Sequence, residues 1–156
     1  MNVAVADACL TLAAARLQDL ARVATFLDAA CAGLEADARG DLRLATEEVF
    51  LNIVSHGYRT GPGPVEIRVG RAPDRITVVI ADQAPEFDPA SVAAPDLDAD
   101  CARRRIGGLG WHLVRQLMDE VGWTPGAGRG NAYRLVRRVG ASETESRSYT
   151  ERETRT

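Results

Sequence analysis

Glu48, Asn52 and His56 recur at four-residue intervals in the run from Glu47 to Tyr58. On an α-helix such residues lie along one stripe, drifting by about 40° per step. A carboxylate and a carboxamide one turn apart, aimed into a cleft, can hold Mg²⁺ through oxygen while the carboxylate polarises an attacking hydroxyl. The same pair also fits a solvated helix face, and His56 fits a helix-end hydrogen-bonder. Asp82 follows the apolar run Val78-Val79-Ile80-Ala81 and precedes Gln83-Ala84-Pro85-Glu86-Phe87-Asp88-Pro89. A carboxylate at the end of a buried strand can accept a hydrogen bond from an exocyclic amine such as that of adenine, or simply form a turn. Residues 105–114 read Arg-Ile-Gly-Gly-Leu-Gly-Trp-His-Leu-Val. Gly107, Gly108 and Gly110 let the backbone approach a ligand closely, and the helix start offers unpaired N–H groups at a positive dipole end. That describes a phosphate site, or a tight turn.

The cations narrow the chemistry. The chain has no lysine: all 19 of its Lys-plus-Arg cations are arginine. A Walker-type phosphate loop and the eukaryotic protein-kinase fold both place a lysine on the phosphates, so both are excluded. Neutralisation falls to backbone, a metal ion or arginine, and Arg103, Arg104 and Arg105 are the cations next to the glycines. A formal charge of −3 gives no overall basic bias toward nucleic acid. Cys9, Cys31 and Cys101 are odd in number and lack metal-ligand spacing, as expected of reduced thiols. No apolar run reaches the roughly 18 residues of a membrane helix and no basic leader precedes one, so a soluble, cytoplasmic protein without a membrane role is expected.

The elements that must position these groups are legible in outline. The 156 residues suit one domain over 1–140, with the polar stretch 141–156 as a disordered tail. A weak strand is expected at 8–13 and an amphipathic helix over 16–34. Asp41, after Gly40, is a plausible N-cap for a second helix reaching the Gly57 region. Two strands follow, 65–69 and 76–81, then a long functional loop or lid from Asp82 to Arg105. A third helix over 108–120 and short strands at 121–125 and 131–138 complete the order. The sum is α+β: a two-layer sandwich, a mixed sheet with helices on one face.

Taken together and in order, these motifs resemble the ATP-binding domain shared by gyrases, heat-shock chaperones, sensor histidine kinases and mismatch-repair ATPases, the histidine-kinase-like superfamily with the Bergerat fold. Glu47 to Tyr58 looks like the N-box of its small bacterial branch, the anti-sigma-factor serine kinases. Asp82 to Pro89 is similar to the adenine-side box, and Gly107-Gly108-Leu109-Gly110, with the helix through Val121, to the second glycine box. The resemblance spans about residues 10–138, and three boxes in order are far more specific than a lone glycine motif.

The resemblance implies ATP and Mg²⁺ as cofactors and a role for each matched position. Asn52 would hold the metal, Glu48 would activate the attacking hydroxyl as the catalytic residue, and Asp82 would read the adenine amine. Gly107, Gly108, Leu109 and Gly110 would supply backbone donors to the phosphates, with Arg105 beside them and His56 and Phe87 completing the nucleotide-binding set. It further implies a protein-serine/threonine kinase in a partner-switching system. Such a protein phosphorylates an anti-sigma-factor antagonist of the STAS type and sequesters a sigma factor, with room for a homodimer. Its competitors are a non-catalytic, nucleotide-dependent binding module and an ATPase that drives a transducer. Two positions depart from the family pattern: Ala84 stands where glycine is usual, and the Gly130-Asn131-Ala132-Tyr133 stretch lacks a threonine found near the base. If position 84 requires positive φ, alanine there costs on the order of 1 kcal/mol.

Overall fold

The computed structural model describes residues 8–92, 109–126 and 128–140. Strand β1 (Ala8–Ala15) leads through a short 3₁₀ turn at Leu17–Asp19 into α1 (Leu20–Ala30), and α2 (Ala36–Asn52) follows. The hairpin β2 (Gly63–Ala72) and β3 (Arg75–Asp82) comes next, then α3 (Leu109–Leu117) and a second hairpin, β4 (Glu120–Pro125) and β5 (Asn131–Arg138). The five strands form one sheet in the order β1-β2-β3-β5-β4.

Alternation along the strands decides which face the helices cover. Val65, Ile67 and Val69 of β2 and Ile76, Val78 and Ile80 of β3 are buried, while the residues between them face outward. Leu42, Ala45 and Val49 of α2 and Val114 of α3 join the same core. The architecture is α+β with helices on one face, as expected, but the sheet is wholly antiparallel rather than mixed. The reason is topological: β4 runs parallel to β3, yet β5 lies between them, so no parallel pair forms.

Three boundaries differ from the sequence reading. The first helix is shorter than 16–34, ending at Ala30, and Gly33 follows with φ of 85°. The second begins at Ala36, so Asp41 is inside it and not its N-cap. An internal Gly40 costs about 1 kcal/mol. Burying Leu42 alone returns about 1.5–3 kcal/mol, and Ala38 extends the same stripe, so burial wins. Asp41 instead meets Arg137 of β5 at 3.3 Å, and Arg137 also reaches Asp119 at 3.7 Å. The third helix spans Leu109–Leu117 among the described residues, and Arg103, Arg104, Arg105, Gly107, Gly108 and the expected 141–156 tail lie outside them. No helix among the described residues is long and apolar enough to cross a membrane.

Candidate functional site

Glu48 and Asn52 occupy the last turns of α2, where the core stripe Ala45-Val49 faces the sheet and the neighbouring stripe faces α3. The two helices meet closely at Gly110. A Cβ placed on Gly110 would lie 2.8 Å from Oε2 of Glu48 and 3.4 Å from Nδ2 of Asn52. With the side chains of Glu48 and Asn52 so placed, only a residue without a side chain fits at 110, and Glu48, Asn52 and Gly110, spread along the sequence, form one cluster in space.

Past Asn52 the helix widens into a π turn over Ile53–Gly57, closed by the Tyr58 N–H donating to the Ile53 carbonyl at 2.9 Å. Such π turns recur at functional sites. His56 lies in this turn, exposed to solvent, and is not drawn into the Glu48–Asn52–Gly110 cluster by any described contact. Tyr58 carries the chain back toward the sheet: its hydroxyl donates to the Pro64 carbonyl at 2.6 Å and accepts from the Gln83 N–H at 2.8 Å. Burial raises the Tyr58 pKa above its ordinary value, against a smaller lowering effect of the Gln83 N–H.

Asp82, buried at the end of β3, is paired across the sheet with Asn131. Its Oδ1 accepts from the Ala84 N–H and from Nδ2 of Asn131, both at 2.9 Å. Burial pushes its carboxyl above the usual value, and the hydrogen bonds from Asn131 and Ala84 pull it back in part. Three buried side-chain atoms among the described residues have no hydrogen-bond partner, namely Thr46 Oγ1, Asn52 Nδ2 and Asp82 Oδ2. Two of the three belong to residues singled out from sequence. A buried polar atom without a partner costs about 1–3 kcal/mol, which a ligand can relieve by supplying the missing bond.

The segment after Asp82 is held by side chains. Arg129 donates to the Gln83 carbonyl at 2.7 Å, Asn131 to the Pro85 carbonyl at 3.1 Å, and the Tyr133 hydroxyl to the Phe87 carbonyl at 3.2 Å. Arg115 of α3 donates to the Pro89 carbonyl. Residues 83–92 of the expected lid are thus tied to β5 and α3, with a 3₁₀ turn at Pro89–Ser91 capped by Asp88. Phe87 is exposed and stacks on Trp111 with ring centroids 6.4 Å apart, and Trp111 in turn packs against Tyr133 at 5.1 Å. Ala84 carries no strain, because no non-glycine residue among those described has positive φ. Its methyl is instead accommodated by Gly57, whose own Cβ would come within 3.1 Å of it.

The residues suit a divalent ion held jointly with a phosphate ligand. Among the described residues no group of three or more His, Cys, Asp or Glu could hold a metal unaided. Mg²⁺ ordinarily takes one or two protein oxygens beside phosphates and water, and the carboxamide Oδ1 of Asn52, which faces Gly110 beside Glu48, fits that role, while its buried, unpartnered Nδ2 is placed to donate to a phosphate oxygen. Arg105, Gly107 and Gly108 lie outside the described residues, whereas Leu109 and Gly110 form the first turn of α3. Asn131 and Trp123 were not singled out from sequence, and the polar Asn131 between Gly130 and Ala132 at a strand start was the one signal available.

Residues 10–137 match the family model described as histidine kinase-like ATPase domain. The chain is 35% identical over 97 residues to a serine-protein kinase RsbW of Bacillus licheniformis, covering 57% of this chain and 59% of the relative. It is 36% identical over 95 residues to the protein of that name from Bacillus velezensis, with the same coverage of 57% and 59%. Against that from Bacillus cereus, identity is 30% over 93 residues, covering 57% and 58%. The chain therefore spans less than two thirds of the length of these relatives.

Proposed function

The chain belongs to the histidine kinase-like ATPase domain family, and from that membership we propose that it is an ATP-dependent protein-serine/threonine kinase acting as a cytoplasmic anti-sigma regulator in a partner-switching system. Its substrate in this reading is an anti-sigma-factor antagonist protein of the STAS type, and a sigma factor is its second partner. The relatives named serine-protein kinase support the kinase class. The observation that carries the reading is the contact of Glu48 and Asn52 with the first turn of α3 at Gly110, because it sets a carboxylate base beside a helix start suited to phosphate.

In this reading Asp82 accepts the adenine amine through Oδ2, and Asn52 would hold Mg²⁺ through Oδ1, where the ion would screen the phosphate charge. Arg105 and the backbone of Gly107, Gly108, Leu109 and Gly110 take the phosphates. Glu48 accepts the proton of a partner's serine or threonine hydroxyl as its oxygen attacks the terminal phosphorus. The bond to the bridging oxygen breaks and ADP leaves. His56 and Phe87 complete the nucleotide-binding set in this reading, Phe87 held by its aromatic stack on Trp111.

Incubation with labelled ATP and a candidate anti-sigma-factor antagonist protein tests this. Phosphate on serine or threonine of the partner is the expected result. Phosphate only on His56 or His112 of this chain overturns it, and nucleotide binding without any transfer favours a non-catalytic binding module.

A further inference from the structure

Asn131 opens β5 at 2% exposure, and its amide uses its whole hydrogen-bonding capacity. Oδ1 accepts from the Phe87 N–H at 2.8 Å and from the Trp123 indole Nε1–H at 2.9 Å. Nδ2 donates to Asp82 Oδ1 at 2.9 Å and to the Pro85 carbonyl at 3.1 Å. Two donors on one side and two acceptors on the other leave the amide a single orientation, since a flip would set like against like at all four contacts. Asp82 Oδ1 thus receives two N–H groups, from Asn131 and Ala84, and is confined to accepting. Oδ2 alone remains, buried and without a partner.

We propose that Asn131 is a specificity-determining residue that selects a 6-aminopurine over a 6-oxopurine by holding Asp82 as a hydrogen-bond acceptor, an inference that rests on the nucleotide reading above. A 6-amino group donates to Oδ2 and satisfies it. A 6-oxo group presents lone pairs to lone pairs in that position, and the N1–H beside it meets Oδ2 only if the base shifts from the place a 6-aminopurine takes. Trp123 acts through Asn131 as a positioning residue, because its indole N–H joins the Phe87 N–H in holding Oδ1 and so keeps the Nδ2 end of the amide toward Asp82. Without Asn131, Oδ1 loses a donor, the buried carboxyl holds a proton more readily, and it can then donate to a 6-oxo group. Selection falls from both directions.

The test is calorimetric affinity of the full chain for ATP and for inosine triphosphate, which differs in carrying the 6-oxo group, with magnesium present. Wild type is expected to favour ATP by about tenfold or more, the scale of one hydrogen bond to a charged acceptor. Asn131→Leu is expected to bring the ratio near one. Trp123→Phe, which removes the indole N–H and keeps an aromatic ring, is expected to lower it several-fold, and decides the matter alone if Asn131→Leu does not fold. A merely structural role lowers the melting temperature and both affinities together and leaves the ratio intact, so an unchanged ratio overturns the inference. Wild type binding both nucleotides equally overturns it too, with the nucleotide reading intact. Wild type binding neither overturns both.

Discussion

Oε2 of Glu48 lies 2.8 Å from the point where a Cβ on Gly110 would sit. That is closer than a carbon and a carboxylate oxygen tolerate, so Glu48 can hold this position against α3 only with glycine there.

Gly110→Ala should therefore separate stability from activity. Alanine is favoured over glycine in a helix by up to about 1 kcal/mol, and the flexible end of Glu48 can swing aside. Melting temperature is expected to stay near wild type, while displacement of the base lowers phosphoryl transfer by about tenfold or more. A variant with wild-type transfer would show that Glu48 has no fixed place in the reaction.

Glu48→Gln keeps shape and removes the base. The expected loss is about 10²-fold or more in the rate of transfer, with nucleotide affinity little changed. Glu47, which points toward Arg43 at 2.8 Å on the outer side of α2, is the comparison. Glu47→Gln should transfer phosphate at close to the wild-type rate, since an exposed ion pair of this kind contributes about 0.3–0.5 kcal/mol. The reverse ranking would assign the base to Glu47.

Asn52→Ala should abolish the gain in nucleotide affinity that magnesium confers. Titration calorimetry with ATP, with and without Mg²⁺, measures it directly. Equal affinities in the wild-type protein under both conditions would remove the metal from Asn52.

Asp82 supplies a pH dependence with a definite sign. Its folded pKa is raised by burial, so the ionised form is the one that folding disfavours. Its stabilising contribution is complete below the unfolded value of about 4 and is lost as pH rises through the folded pKa. Relative to wild type, Asp82→Asn should thus gain stability in chemical denaturation as pH rises above about 4, because the asparagine does not titrate. ATP affinity of the wild type moves the other way: it falls on acidification through the folded pKa, as Oδ2 ceases to accept. A wild-type-minus-mutant stability difference that is flat with pH would contradict the buried, ionising Asp82.

The strands were legible because Val65, Ile67 and Val69 alternate with polar neighbours, and the third helix because its apolar stripe repeats at helical spacing. The clustering of Glu48 with Asn52 was legible for the same reason, since a helix converts a spacing of four into proximity. What sequence did not reveal depends on partners distant along the chain. Asp41 looks like an N-cap until burial of Ala38 and Leu42 pulls the helix start back to Ala36. The wholly antiparallel sheet depends on where β5 inserts, which no local pattern encodes. Asn131 reads as the first residue of a strand after Gly130, and its role is set by Asp82, Pro85, Phe87 and Trp123, which only the folded sheet assembles. Ala84 seemed to threaten the turn after Asp82 because the residue that makes room for it, Gly57, is on another element.

The position of β5 carries a consequence for how the molecule is made. It is the last strand among the described residues, yet it sits between β3 and β4, and its bond from Asn131 to Asp82 spans 49 residues. A chain emerging from the ribosome holds Glu48, Asn52 and Asp82 long before β5 exists, and closing so distant a pairing is slow compared with forming the β2–β3 hairpin. Until it closes, β3 has one open edge and Asp82 lacks the amide that orients it. The base end of the cleft is therefore the last part to mature, and a chain broken off before residue 131 cannot acquire it. Occupancy of that end by a ligand reports that β5 has been made and has closed its pairing with β3.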